Sequence, residues 1–485
     1  MARASRVPDD VPTSLRDADA GVDSMGRPFS TLHVLLATLK KSLVAIAERR
    51  PDRATRCEAL SDAAIERAGC ELHRALLDPR REFHTHDHVL GLVDQCDPIQ
   101  TLAALYHDLV YVHVDAQRDA RVAAILDQYF DVRDTRHRVR RDAASTDIGR
   151  EALAVFAVEP GQELTPYTGL NELSSALVFA SDLGRGLTAE ERVGVLACIE
   201  ATIPFREDVG DVLAHRIGKL GFDKPVVAAI TERAVQLANK DVANFAEEDA
   251  ARFLDNTWRL LPETNPTLDR PGVTRVGEYR AALQKMEGFL STLSADRVFH
   301  TWGREPHKAV HATRVARADA NIKTAVAYLR AKLFSSGVLE AIVLETGGDV
   351  PIEYVMGALP IGGKLPYARL ERFLPTVTKV APVEPTLLRL LVSGRASASS
   401  FDTPSSPLAA FLAKNVGDRG IAEGFERAQR MWRGELSPFE SLVPIALPAA
   451  KIAEAASNVA IMREDQLREL ASRLRGAALD VKKRK

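Results

Sequence analysis

The chain has 485 residues, too many for one compact core, and this length predicts two or three domains. Hydrophobic residues make up 46% and charged residues 27%, so most of the chain should fold around a core. The 64 Lys and Arg residues nearly balance the 66 Asp and Glu residues, for a net charge of −2. This balance argues against a dedicated nucleic-acid-binding protein, which would need a strong positive field.

Cysteine spacing and hydropathy predict where the protein works. The four cysteines are far apart and form no CxxC pair, which predicts reduced thiols rather than a disulfide framework or a zinc knuckle. The N-terminus lacks the apolar core of a signal peptide, and the best apolar stretch, 32–39, is far shorter than the ~20 residues of a membrane span. We therefore expect a cytoplasmic protein with no membrane segment.

Helical patterns recur along most of the chain. Residues 1–28 mix Pro, Asp, Ser and Gly and read as a flexible lead-in. From Ser30 onward, apolar residues repeat at intervals of three and four, as on one face of a helix. The charged stretch 131–148 is predicted as a solvated loop and the start of a helix. The further predicted helices cover residues 61–77, 98–109, 118–130, 172–187, 190–203, 224–261 and 449–475.

Prolines at 262, 266 and 271 indicate a boundary between two helical domains. Short β-like runs alternate too weakly to support a sheet, and the sequence therefore predicts an all-α protein. We expect one helical domain over 29–265 and a second, mainly helical domain of unknown role over 275–485. Homo-oligomerisation through the C-terminal helices is a further expectation.

Histidines concentrate between residues 84 and 113. The segment REFHTHDHVLGLV places His84 and His88 four residues apart, which on a helix would put them on one face. His107 and Asp108 follow at the end of an apolar helix, where an unbound polar pair would be costly. An imidazole nitrogen beside a carboxylate oxygen is a donor set that suits several divalent metals. Asp182, after the apolar run SSALVFAS, is the predicted further carboxylate.

Three short motifs resemble one known family. FHTHDH at 83–88 is similar to the start of the cyclic-nucleotide phosphodiesterase motif. YHDLVY at 106–111 resembles the Phe-His-Asp-Ala-Val-Tyr motif of predicted bacterial HD phosphohydrolases, and SDLG at 181–184 resembles the Asp-Leu that follows the last helix of both groups. The chain therefore resembles the HD-domain metal-dependent phosphohydrolases, over residues 32–261 at most.

The resemblance implies a fold, a site and a reaction. The first domain would be an HD-type helical bundle, and a divalent ion (Mn, Fe, Ni, Co, Zn or Mg) would activate water against a nucleotide or another small phosphate ester. His84 would be the general acid. The implied metal ligands are His88, His107, Asp108 and Asp182.

Four further residues are weaker candidates near this site. Asp115 and Glu172 would orient the ligand imidazoles, as carboxylates around metal sites often do. Arg81 and Arg185 would contact the phosphate of the substrate, because a guanidinium offers two parallel donors to its oxygens.

Two alternatives to a hydrolase stay open at this point. Thr85 stands where the phosphodiesterase motif has Asn, and no His-x-x-x-x-His pair lies between Asp108 and Asp182 to hold a second metal. These departures favour a degenerate HD domain that binds metal or nucleotide as a sensor or scaffold without turnover. A di-iron oxygenase is the third possibility, and the scarcity of extra ligands argues against it.

Overall fold

The computed structural model describes residues 30–50, 61–115, 119–133, 136–269, 273–357 and 369–484. These residues are predominantly helical, and the prediction of an all-α fold is confirmed. The predicted lead-in over 1–28 lies outside the described residues. Among the described residues, no helix combines the length and the apolar character that a membrane span requires.

The chain divides into two compact units. Unit 1 runs to Phe245 and includes Ser294–Ala316; unit 2 comprises Ala246–Leu293 and Arg317–Lys485. The predicted break at 262–275 follows the helix Ala250–Thr264, which belongs to unit 2, whereas unit 1 ends at Phe245 and resumes at Ser294.

Among the described residues, unit 1 contains ten α-helices and the beginning of a further helix that continues into unit 2. They are α1 (Thr31–Glu48), α2 (Asp62–Leu76), α3 (His86–Leu92), α4 (Pro98–Tyr106), α5 (Ala120–Leu126), α6 (Asp147–Phe156), α7 (Leu170–Asp182), α8 (Ala189–Ala201), α9 (Val209–Gly218), α10 (Lys224–Asp241) and the first residues of α13 (Lys308–Glu345). Helix α8 packs against α4, α7 and α10, and all four contribute fully buried side chains to one core.

Local sequence signals begin several of these helices. The Ser61 side chain accepts a hydrogen bond from the Ala64 amide and caps α2. Asp97 and Gln100 form a reciprocal capping box at the start of α4, where Pro98 is the first helical residue. These caps fix the direction in which α4 leaves its loop, and α4 ends at the candidate site.

A small antiparallel sheet corrects the prediction that 131–148 is loop and helix start. Strand β1 (Phe130–Arg133) pairs with β2 (Arg136–Val139), and β2 pairs with β3 (Glu163–Leu164). Along β2, exposed arginines alternate with the buried His137 and Val139. This alternation has the two-residue period of a strand, but it is too short to stand out in so charged a stretch.

Hydrogen bonds between the Asn239 side chain and the His300 main chain connect 294–316 with the rest of unit 1. The Asn239 side chain donates to the His300 carbonyl at 2.9 Å and accepts from the His300 amide at 2.7 Å. Both residues are buried, so this exchange satisfies the His300 main chain and attaches the segment to α10.

Among the residues that the structure describes, the regular secondary structure of unit 2 is helical, apart from one isolated β-bridge between Arg275 and Pro351. Its helices are the remainder of α13, α11 (Ala250–Thr264), α12 (Val276–Thr292), α14 (Glu353–Met356), α15 (Pro385–Ser393), α16 (Pro407–Trp432), α17 (Pro438–Leu442), α18 (Ala446–Ser457) and α19 (Glu464–Arg484). The single helix predicted over 449–475 is two helices, α18 and α19, which pack against each other. Trp258 and Tyr328 pack edge to face at the centre, with ring centroids 5.3 Å apart.

Candidate metal centre

His88 is the third residue of α3 and lies in its first turn. The helix begins at His86, with Thr85 as its N-cap, so His84 precedes the helix rather than sharing a helical face with His88. The two imidazoles are nevertheless neighbours, with ring centroids 5.9 Å apart in an edge-on arrangement. The sequence therefore predicted their proximity correctly but attributed it to the wrong backbone geometry.

His107 and Asp108 stand at the C-terminal end of α4, whose side chains from Ile99 to Tyr106 are all buried. His107 is itself buried, and its Nδ1 lies 2.8 Å from the Ala104 carbonyl oxygen. A carbonyl can only accept, so Nδ1 carries the proton and Nε2 is the nitrogen available to a ligand. A backbone carbonyl that fixes the imidazole in this way is typical of metal-binding histidines.

Asp241, the last residue of α10, brings a second carboxylate to the same place. Its Oδ1 lies 3.1 Å from His88 Nε2 and 3.5 Å from His107 Nε2. Asp108 Oδ2 lies 2.9 Å from His107 Nε2 and 3.5 Å from His88 Nε2. Helix α3, helix α4 with the turn after it, and helix α10 therefore bring two imidazoles and two carboxylates together. We call these four residues the metal cluster.

The arrangement of the metal cluster fits a single divalent cation. Nε2 of His88, Nε2 of His107 and Oδ2 of Asp108 are buried and lack a hydrogen-bond partner, although they lie within 4.8 Å of one another. Metal–ligand bonds of about 2.1 Å place neighbouring ligand atoms about 3.0–3.4 Å apart. The four separations between imidazole nitrogens and carboxylate oxygens, 2.9–3.5 Å, agree with this spacing. Buried donor atoms without partners are costly, and a shared cation would satisfy all of them.

Electrostatic interactions within the cluster are strong. Burial by itself would lower the pKa of His107, but Asp108 and Asp241 outweigh it and hold that pKa well above its usual value. Burial by itself would likewise raise the pKa of each carboxyl group, but the facing imidazoles keep both pKa values far below their usual range. Both carboxylates are therefore anionic at neutral pH, and the cluster attracts positive charge.

Asp182 belongs to a different cluster. It is the last residue of α7, and its Oδ1 pairs with the Arg121 guanidinium, which also donates to Glu71 at 2.8 Å. Burial and the nearby Glu71 carboxylate raise the pKa of Asp182 to about 7. Asp241 thus occupies the place that the sequence assigned to Asp182, as the distant carboxylate in contact with both imidazoles.

Arg81 and Asp115 hold the backbone that carries the ligands. The Arg81 guanidinium is fully buried, pairs with Asp115 at 2.7 Å, and donates to the carbonyls of Asp108 at 2.6 Å and Leu109 at 3.2 Å. Asp115 in turn accepts from the Tyr111 amide at 2.8 Å. Arg81 was predicted to contact phosphate, but its donors are occupied by the protein. Asp115 acts on the main chain after His107 rather than on an imidazole.

The remaining two candidates differ in their relation to the cluster. Burial, with a smaller contribution from the nearby Asp108, raises the pKa of Glu172 to about 7, and the Glu172 Oε2 is buried without a partner. Glu172 is therefore near enough to Asp108 to feel its charge, and its carboxyl group titrates near neutral pH. Arg185 is exposed in a short turn after α7.

His84 and two aromatic residues lie beside the cluster. The Tyr111 and Phe83 rings lie 4.8 Å and 4.9 Å from the His84 ring, centroid to centroid, and both meet it edge-on. His84 also contributes to the low pKa of Asp108, which places its charge near the ligands. His84 is thus held beside the cluster without being one of its four members.

Comparison with protein-family models, with curated proteins and with solved structures gives no match for this chain. The resemblance to the HD-domain phosphohydrolases stays a prediction.

Proposed function

We propose that unit 1 is a metal-dependent phosphohydrolase that acts on a nucleotide or another small phosphate ester. The observation that carries the proposal is the convergence of buried ligand atoms of His88, His107 and Asp108 that form no hydrogen bond, with Asp241 in contact with both imidazoles. The first three are ligands that the resemblance to HD-domain enzymes implies, and the fourth comes from the geometry. Two imidazoles and two carboxylates suit Mn, Fe, Co, Ni, Zn or Mg.

The roles of the residues follow from their positions. When bound, a divalent cation supplies Lewis acidity to water and to a phosphoryl oxygen. His84, adjacent to His88 but outside the ligand set, donates a proton to the departing alkoxide oxygen. Glu172, with a pKa of about 7, accepts the proton released from the attacking water or passes it onward. Arg81 and Asp115 hold the ligand-bearing main chain in place.

Turnover with defined metals tests this proposal. The full chain is assayed with p-nitrophenyl phosphate, bis-p-nitrophenyl phosphate and a nucleotide panel, each with Mn, Co, Ni or Mg. We expect metal-dependent hydrolysis that Asp108→Ala abolishes. His113→Ala, an exposed histidine in the turn after the cluster, is the control and should retain the activity. Hydrolysis that persists in Asp108→Ala, or that needs no metal, would contradict the proposal.

A binding protein without turnover is the second candidate. In the part of the chain that the structure describes, one group of three potential ligand residues has all its ligand atoms close together: His88, His107 and Asp108. A single group of this kind supports the binding of a single ion. The donors of Arg81 are bound to the protein, and Arg185 is exposed on a short turn. Stoichiometric metal, together with no hydrolysis of any tested ester, would support this sensor or scaffold role over the hydrolase.

A further inference from the structure

Unit 1 carries an open groove on its small antiparallel sheet. The groove has a volume of about 1280 Å³, which exceeds the roughly 300–1,000 Å³ of small-molecule sites, so it suits a segment of a macromolecule better. Strands β1 and β2, with residues 140–142 and 160–163, form its walls. Its charged lining residues are Arg133, Arg136, Arg138, Arg140, Arg141, Asp131, Asp142 and Glu163. We call these eight residues the arginine groove.

The strand register places arginines side by side on the exposed face of the sheet. Arg133 of β1 lies directly opposite Arg136 of β2, and both side chains are exposed. Arg138 follows two residues after Arg136 and therefore lies on the same face. Like charges directly opposite each other destabilise a sheet. The Arg133–Arg136 pair thus works against the stability of the sheet, and an anion between the two guanidiniums would relieve the repulsion.

The three acidic residues of the groove mainly bind two of its arginines. Glu163 accepts a hydrogen bond from Arg138 at 2.7 Å. Asp131 and Asp142 lie 3.5 Å and 3.1 Å from the Arg140 guanidinium. The positive charges of Arg138 and Arg140 are therefore largely compensated within the groove.

The other three arginines have donors left for a partner. Arg136 reaches the Glu163 carboxylate only at 4.0 Å, and its side chain is 77% exposed. Among the residues that the structure describes, Arg133 and Arg141 form no ion pair, and both are exposed. Five positive and three negative side chains leave the groove with a net charge of +2. A guanidinium offers its N–H donors in a planar fork that matches phosphate oxygens, so the groove is suited to a chain of phosphates.

The lining favours a nucleic-acid duplex over a single strand. None of the described residues that line the groove is aromatic, so the groove offers no ring on which unpaired bases could stack. A duplex needs no such surface, because its phosphates lie on the outside and its bases stack on one another. The major groove of B-form DNA also admits a two-stranded β-ribbon, and β1 and β2 form such a ribbon.

We propose that the arginine groove binds double-stranded DNA through its phosphates, without reading the base sequence. Arg133, Arg136 and Arg141 supply the contacts, and the release of counterions from the DNA supplies much of the free energy. The near balance of charge over the whole chain predicts modest affinity, because only this local surface attracts DNA. This binding is independent of the proposed hydrolase activity, since no residue of the metal cluster lines the groove.

Fluorescence anisotropy of the full chain with a labelled DNA duplex of about 20 base pairs tests the proposal. The affinity is measured at salt concentrations from about 25 to 200 mM. Each phosphate contact contributes about −0.9 to the slope of log affinity against log salt, so three contacts predict a slope of about −2.7. Single-stranded DNA of the same length, duplex RNA and polyglutamate represent other partners. We expect each of them to bind at least about tenfold more weakly than the DNA duplex, because none combines outward phosphates with a wide major groove.

Single substitutions locate the contacts. Arg133→Gln, Arg136→Gln and Arg141→Gln should each make the slope shallower by about 0.9, which corresponds to roughly tenfold weaker binding at about 50 mM salt. These side chains are exposed, so the variants should keep the wild-type unfolding free energy in urea. Arg49→Gln is the matched control and should bind as the wild type does, since Arg49 is an exposed arginine at the end of α1, outside the groove.

Four results would overturn the proposal. The duplex might show no saturable binding at the lowest salt concentration, or one of the three alternative partners might bind as tightly as the duplex. The groove variants might keep the wild-type slope, or Arg49→Gln might weaken binding as much as they do.

Discussion

Replacing Arg81 with Met should destabilise the loop that carries His107 and Asp108. The guanidinium is fully buried and pairs with Asp115, whose side chain is only 8% exposed. Removing one partner of a buried ion pair costs about 3–5 kcal/mol, because the other charge stays buried and unpaired. The carbonyls of Asp108 and Leu109 lose charged donors as well, and water can replace those bonds only in part. We therefore expect a loss of about 4 kcal/mol in the unfolding free energy of unit 1.

Two assays measure this loss. Urea denaturation gives the change in the free energy of unfolding, and hydrogen exchange of peptides over 105–115 shows whether the loop opens locally. Metal affinity should fall in parallel, since the loop holds two of the four ligands. Arg80→Met is the control, because Arg80 is exposed and makes one long hydrogen bond, to the Val114 carbonyl at 3.3 Å.

The double variant Arg81→Met/Asp115→Leu separates two causes of the loss. It removes the unpaired carboxylate, and we expect it to recover part of the stability that Arg81→Met loses. The reasoning would be refuted if Arg81→Met were as stable as Arg80→Met. A higher KM for a phosphate ester without any loss of stability would instead support the original prediction that Arg81 binds phosphate.

Two further predictions concern other parts of unit 1. The pKa of Asp182 is raised to about 7, so the folded protein holds a proton that the unfolded chain releases, and this contribution to stability disappears as the pH rises from about 4 to 7. Urea denaturation measures the difference in unfolding free energy between Asp182→Asn and the wild type. As the pH rises from 5 to 8, this difference should shift by roughly 2 kcal/mol in favour of the variant. A difference that does not change with pH would contradict the prediction. His84→Gln should lower kcat at least about 100-fold for esters with poor leaving groups and leave the metal content unchanged. His86→Gln is the control and should keep the wild-type kcat. Equal effects of the two variants on kcat would exclude the role of His84 as general acid.

His88, His107 and Asp108 lie together, as the resemblance to the HD-domain enzymes implied. For His107 and Asp108 the signal was also local, because a His-Asp pair at the end of an apolar helix has few stable surroundings other than a polar site. The structure also confirms the helical class, since spacing of three and four residues is a strong signal over long segments.

The fourth residue of the metal cluster was not predictable with equal ease. Asp182 and Asp241 are each the last residue of a helix with many buried residues, where the helix dipole disfavours a negative charge. This position at a helix end marks both aspartates as candidate ligands, but the sequence analysis predicted only Asp182. Only tertiary packing distinguishes them, because α10 brings Asp241 to the imidazoles, whereas α7 brings Asp182 to Arg121.

Metal stoichiometry in two aspartate variants tests the central claim most directly. Purified wild-type protein, Asp241→Asn and Asp182→Asn are dialysed against Mn, Co or Zn and analysed by mass spectrometry. We predict one ion per chain in the wild type and in Asp182→Asn, and a loss of more than about 100-fold in affinity in Asp241→Asn. No metal in the wild type, or metal that Asp182→Asn loses while Asp241→Asn retains it, would contradict the account.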